Sequence, residues 1–174
     1  TATSARAHGA GLRVYRGLNS VYVHSNDTSP EGLMKLACSA ADAIGSTLAG
    51  DKDVHLVGSV VKNIHAIEML PLDVDSKKRA ALLRSVCRAA KAESSEIAHV
   101  TASLTSQEQH VTIANTEGMF KSDVRVYSRL MTPAIASNGK ENQTGSVRNG
   151  GMIGFELFEK MTDPEADARK AARQ

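Results

Sequence analysis

The sequence predicts an α+β protein: a mostly antiparallel β-meander packed with two to three helices. Three observations carry that prediction. Strong helix-start signals precede segments with apolar residues at 3–4 spacing. From about residue 98 onward, apolar and polar residues alternate with the period of strands. Gly- and Asn-bearing turn signals separate the alternating segments. The composition is compatible with a packed core, since 41% of the 174 residues are hydrophobic and 23% charged, which excludes a disordered tail. A chain of this size buries roughly 70% of its unfolded surface, so no metal or disulfide staple is required.

The opening, residues 1–10, is small and polar and offers no core. Leu12–Arg16 and Val21–His24 read as strands joined through Gly17-Leu18-Asn19-Ser20 as a hairpin with a short Gly/Asn turn. Ser29-Pro30-Glu31 is a dense helix start: a hydroxyl to accept from free backbone N–H groups, a proline with fixed φ, and a carboxylate at the positive dipole end. The helix then carries Leu33, Leu36, Ala37, Ala40, Ala41, Ile44 and Leu48 and is expected to stop near Gly50. Residues 51–72 fit neither period and are expected to be irregular, with at most one short strand. Asp75 caps a second helix whose apolar face is Leu83, Val86, Cys87 and Ala90.

The β region follows. Ala98, Val100, Ala102 and Leu104 alternate with polar residues, as do Val111 and Ile113, and a hairpin through Ser106-Gln107-Glu108 would put both apolar sets on one face. Asn115-Thr116-Glu117-Gly118 is a turn, with Gly118 free to take positive φ. A long strand is expected from about Asp123 to Ala136; Pro133 within it calls for an edge or a bulge at that end. Asn138-Gly139 predicts a tight type I′ hairpin with Ser137 facing Lys140, and a polar, Gly-rich strand returns from Glu141 to Gly151. Asp163-Pro164-Glu165 caps a last helix still running at Gln174.

Chemistry is sparse. Net charge is only +2 and aromatics are 3% with no Trp, which argues against a dedicated nucleic-acid or membrane-surface binder and against a base- or sugar-stacking platform. Cys38 and Cys87 lie in helical patterns beside apolar neighbours and read as small buried hydrophobes. No apolar run reaches the ~18 residues of a membrane span and no signal-peptide pattern opens the chain, so the expected compartment is the cytoplasm. None of the six histidines has an i, i+4 partner, and His99 and His110 are expected as solvent-facing neighbours on adjacent strands. Asn149–Gly154 is glycine-rich but opens no helix, so a dinucleotide loop fails its context test. Lys77-Lys78-Arg79 with Arg84, Arg88 and Lys91 reads as a solvated helix face, and secondarily as a patch for nucleic acid or an acidic partner.

Four stretches, taken in succession, resemble the N-terminal half of the TldD/PmbA family of zinc metallopeptidases. They are Gly9–Val14, Ser25–Leu33, Ile113–Gly118, and the run from Arg148-Asn149-Gly150-Gly151 to Gly154-Phe155-Glu156, whose ending is closer to the TldD branch. The resemblance implies a supporting domain over residues 1–162, truncated at its start, with 163–174 beginning a helix toward a catalytic domain. It implies a parent that uses zinc to hydrolyse peptides, a homo- or heterodimer with a TldD/PmbA-like subunit, and a role in the peptide-access cavity. The family's zinc helix, His-Glu-x-x-x-His, has no counterpart in this sequence. No catalytic or metal residue is therefore carried over, and this chain by itself is expected to bind no cofactor. Arg125, Arg148 and Asn149 stand as candidates for the substrate cavity or an interface. Missing first strands would leave a sticky edge near Leu12–Arg16. The family's label as a modulator of DNA gyrase supplies the alternative, a nucleic-acid or gyrase-associated module using helix 77–91.

Overall fold

The computed structural model describes residues 1–46, 53–62, 64 and 66–174. The chain is α+β, and it divides into two compact units, 1–53 and 54–174, a division that falls within the span 1–162 expected as one domain.

In the first unit, β1 (Ala10–Arg16) and β2 (Asn19–Ser25) form an antiparallel hairpin with Leu12 opposite Val23 and Val14 opposite Val21. The loop is only Gly17-Leu18, since Arg16 already pairs with Asn19. Gly17 alone has positive φ, +62°, as in a type II′ turn. Leu12, Val14, Val21 and Val23 are half-buried on one face of the hairpin, and α1 (Pro30–Ala43) packs against it. Ser29 Oγ accepts from the Gly32 N–H at 3.0 Å, the cap expected.

The helix ends earlier than expected. Gly45, at φ +68°, takes the left-handed position, the Ser46 N–H reaches the Ala41 carbonyl at 2.9 Å and the Gly45 N–H the Asp42 carbonyl at 3.0 Å. This is a complete Schellman stop; the expected end near Gly50, with Leu48, lies outside the described residues. Arg16 adds a cation at that end, donating to the Gly45 carbonyl at 2.6 Å. The buried face of α1 is Gly32, Leu36 and Ala40. Cys38 lies on the opposite side and is exposed, which corrects the expectation that both cysteines are buried.

The second unit is organised by one strand. β6 (Met119–Ser137) pairs with every other strand of its sheet: β3 (Val57–Val60), β4 (Ile97–Val100), β5 (Ser103–Ala114) and β7 (Asn142–Gly151). Only β3 is parallel to it; β3 is the single short strand allowed for residues 51–72. Two hairpin expectations need correction. Residues 106–108 do not turn: β5 continues straight through them, Ser106 opposite Ser128 and Glu108 opposite Val126. None of the three is a glycine or asparagine that would favour positive φ, whereas Asn115–Gly118 supplies both, with Gly118 at φ +94°. Because the strand is continuous, Leu104 and the pair Val111/Ile113 point to opposite faces. For the same reason His99, opposite Ile135, and His110, opposite Val124, are exposed but not neighbours. At Asn138-Gly139 the chain does reverse, but Ser137 pairs with Asn142 rather than Lys140. Asn138 Oδ1 accepts from the Lys140 and Glu141 N–H groups, both at 2.9 Å, which favours a four-residue loop over a two-residue one.

Pro133 is not at an edge: it sits in the central strand. Its carbonyl accepts from the Thr101 N–H at 3.1 Å, so its backbone faces the break between β4 and β5. In an antiparallel strand a residue's N–H and C=O point the same way, and the absent N–H costs no bond to β7.

α2 (Ser76–Lys91), capped by Asp75, and α3 (Pro164–Arg173), capped by Asp163, cover the face bearing Val126, Leu130 and Ala134. Val86, Ala90, Leu130, Phe155, Phe158 and Ala168 form the core between them. β7 is Gly-rich for a packing reason: at Gly145 a Cβ would overlap the Ala171 carbonyl of α3.

Candidate functional site

After β7 the chain enters the apolar run Ile153–Phe158, interrupted by a single acid, Glu156. That acid is only 2% exposed. Its Oε1 accepts from the Gly154 N–H at 3.0 Å and the Glu68 N–H at 3.3 Å, and its Oε2 from the Met69 N–H at 2.9 Å. Phe155 N–H donates to the Met69 carbonyl at 2.9 Å, closing the junction. Burial alone would push the carboxyl's pKa up. The backbone donors of Glu156 itself, Met69, Glu68 and Gly154 outweigh it and hold the pKa below the ordinary value. Gly154 must be glycine here, since a Cβ would overlap both the Met69 carbonyl and the Glu156 carboxylate. The Gly-Phe-Glu motif is thus a clamp that fixes residues 68–69 against 154–156.

The clamp shapes a cleft of about 350 Å³ between α2 and the segment Phe155–Glu159. Phe155 and Phe158, edge to face with centroids 5.7 Å apart, line it. Lys78, Ser85, Arg88 and Glu159 contribute its polar groups. Leu157–Met161 forms a short π-helical turn, with the Thr162 N–H reaching the Leu157 carbonyl at 3.0 Å. Lys78 Nζ pairs with Glu159 at 2.6 Å and lies 5.8 Å from the Phe155 ring centre. Lys91 is likewise engaged, with the Ile97 carbonyl. Ser85 Oγ donates to the Leu82 carbonyl at 3.0 Å, so its proton is not offered to a base. Cys87 is half-buried and burial raises its thiol pKa, which keeps it protonated. The cleft is furnished for binding rather than for acid–base or nucleophilic chemistry.

The three candidates from the sequence do not converge. Arg125 pairs with Asp123 at 2.6 Å on the sheet face away from the helices. Arg148, exposed and opposite Met131, shares that face, roughly 20 Å along β6 from Arg125. Asn149 points the other way, and its side-chain amide donates to Asp167 of α3. Sequence reasoning missed Glu156 as a structural acid; its signal was its solitary position in an apolar run. Among the described residues no group of three or more His, Cys, Asp or Glu side chains comes together to hold a metal. No helix among the described residues is long and apolar enough to cross a membrane.

Residues 70–174 match the PmbA/TldA metallopeptidase central domain, and residues 1–44 match PmbA/TldA metallopeptidase domain 1. The chain belongs to the TldD/PmbA metallopeptidase family. It is 27% identical over 172 residues to a metalloprotease TldD homolog of Haemophilus influenzae, covering 95% of this chain and 36% of that one. A TldD homolog of Buchnera aphidicola is 22% identical over 164 residues, covering 92% of this chain and 33% of that one. The chain thus spans about a third of the length of these relatives. A Thermotoga maritima crystal structure, described as a candidate modulator of a DNA gyrase, shares the fold with a TM-score of 0.66 at 15% identity, over 95% of this chain and 36% of that one.

Proposed function

We propose that residues 1–174 are the non-catalytic, peptide-handling portion of a metalloprotease whose hydrolytic metal, zinc, is held by residues outside this sequence. The observation that carries the reading is the match to a metallopeptidase family over most of a chain that spans about a third of its relatives. In this reading the portion contributes to a homo- or heterodimer with a TldD/PmbA-like subunit and to a cavity admitting unfolded peptides for maturation in the cytoplasm. Of the residues Arg125, Arg148 and Asn149, the two arginines on the open sheet face are its candidate contacts, since the Asn149 amide is taken up by Asp167. The gyrase-associated alternative would use the basic face of α2. Lys78 and Lys91 are already tied to Glu159 and to a backbone carbonyl, which weakens that face as a phosphate-binding stripe.

The test is a peptidase assay on an unstructured peptide. The full-length protein is expected to cleave it and to lose at least about 100-fold in rate after chelation, because the metal supplies the nucleophile at neutral pH. Residues 1–174 alone are expected to show no cleavage. Chelator-insensitive cleavage by the full-length protein, or cleavage by residues 1–174, would overturn the reading.

A further inference from the structure

On the sheet face that meets the helices, β5 and β6 carry polar residues where the alternation calls for apolar ones. Ser106 stands opposite Ser128, and Glu108 opposite Val126. All share the face of Leu104 and Leu130, which pack in or against the core. Even-numbered residues of β6 turn their backbone groups away from β5, as the Ser122 carbonyl accepting from Val61 N–H shows. Ser106 and Ser128 are therefore a non-hydrogen-bonded pair, the kind with Cα atoms ~4.5 Å apart and side chains closest. Glu108 is the diagonal neighbour of Ser128.

Ser128 is 1% exposed. Its Oγ and Glu108 Oε1 are both sealed from solvent, and neither has a hydrogen-bond partner. The ion pairs found among the described residues do not include Glu108. The Glu108 oxygen receives no donor, and the Ser128 hydroxyl neither donates nor accepts, so a carboxylate oxygen and a hydroxyl lone pair are both left unmet on one sheet face.

We propose that Ser106, Glu108 and Ser128 form a binding site for a primary ammonium group, supplied by a lysine side chain or a free amino terminus of a polypeptide. An ammonium has three N–H donors and one positive charge. The trio offers one carboxylate and two hydroxyls able to accept, which matches both count and charge. A guanidinium would bring five donors in a rigid plane and leave some unmet. Toward the far end of the β5–β6 hairpin the same face carries His110 and Thr112, both exposed, so an ammonium would approach from that side as the edge over Glu108 opens. The inference stands apart from the peptidase reading and holds or fails without it.

The test uses ¹⁵N-labelled residues 1–174 titrated with n-butylammonium chloride at fixed ionic strength. Saturable amide shifts are expected at 106–108 and 126–128, with tetramethylammonium, which has the charge but no N–H, at least about tenfold weaker. Glu108→Gln is expected to weaken binding about tenfold and Ser128→Ala about threefold, each keeping a dispersed folded spectrum. A blocked lysine tripeptide and a glycine peptide with a free amino terminus then separate the two sources, the tighter binder naming it. The absence of saturable shifts, as for a site holding only a buried water, overturns the proposal. So does an equal response to tetramethylammonium, or an unchanged affinity in Glu108→Gln.

Discussion

Replacing Glu156 with alanine is expected to destabilise the second unit by about 4 kcal/mol, because the buried Gly154 N–H and the partly buried Glu68 and Met69 N–H bonds lose their acceptor. Glu156→Gln is expected to cost about 2 kcal/mol, since its amide must aim N–H donors at a backbone N–H on one side of the clamp. The pH dependence follows from the lowered pKa. The group binds protons less readily when folded, so its contribution is present above its ordinary value of 4.5 and is lost as pH falls through the depressed folded value. Urea titrations from pH 7 to pH 3 check this. The gap between wild type and Glu156→Gln should narrow below about pH 4.5. A gap independent of pH would mean that the carboxylate's charge does not hold the clamp.

Gly145→Ala is expected to cost about 3 kcal/mol, the upper end of ordinary overpacking. The added methyl would meet a backbone carbonyl of α3, Ala171, and the Gln174 Cβ at 2.8 Å, rather than the end of a flexible side chain. α3 must shift off β7, and the Gln174 side chain would lose the Ser146 N–H, now donating at 3.0 Å. A fall in the urea midpoint, with amide exchange of 166–173 accelerated before the rest of the unit, is the expected result. An unchanged midpoint would show that α3 does not rest on that glycine.

What was legible in the sequence was what local chemistry decides. Ser29-Pro30, Asp75 and Asp163-Pro164 act within a turn of the helix they start, and each is a cap in the structure. Alternation within 98–151 marked the extended segments, but the turn expected at 106–108 would have reversed 109–113 relative to 98–105, whereas β4 and β5 run the same way against β6. Register was less legible, because Asn138 can cap its own four-residue loop as easily as it can enter a two-residue turn. The straight run of β5 depends on its partner β6, and polar residues at 106–108 look like a turn until their opposite numbers are known. Glu156 showed in the sequence only as a lone acid in an apolar run; its clamp role was hidden because its partners, Glu68 and Met69, lie far away in sequence. Cys38 reads like Cys87 by its neighbours, yet the helix turns one outward and the other partly in. Of the candidate contacts, Arg148 and Asn149 are adjacent in sequence and face opposite sides of β7, which the period of a strand alone would have separated.

Metal content tests the central claim most directly: residues 1–174 support a metallopeptidase without holding its metal. Purified without chelators, the full-length protein is expected to carry about one zinc per chain, as a hydrolytic site with about three protein ligands requires. Residues 1–174, prepared the same way, are expected to carry none above background. Stoichiometric zinc in residues 1–174, or a fully active full-length protein with no bound metal, would contradict the account.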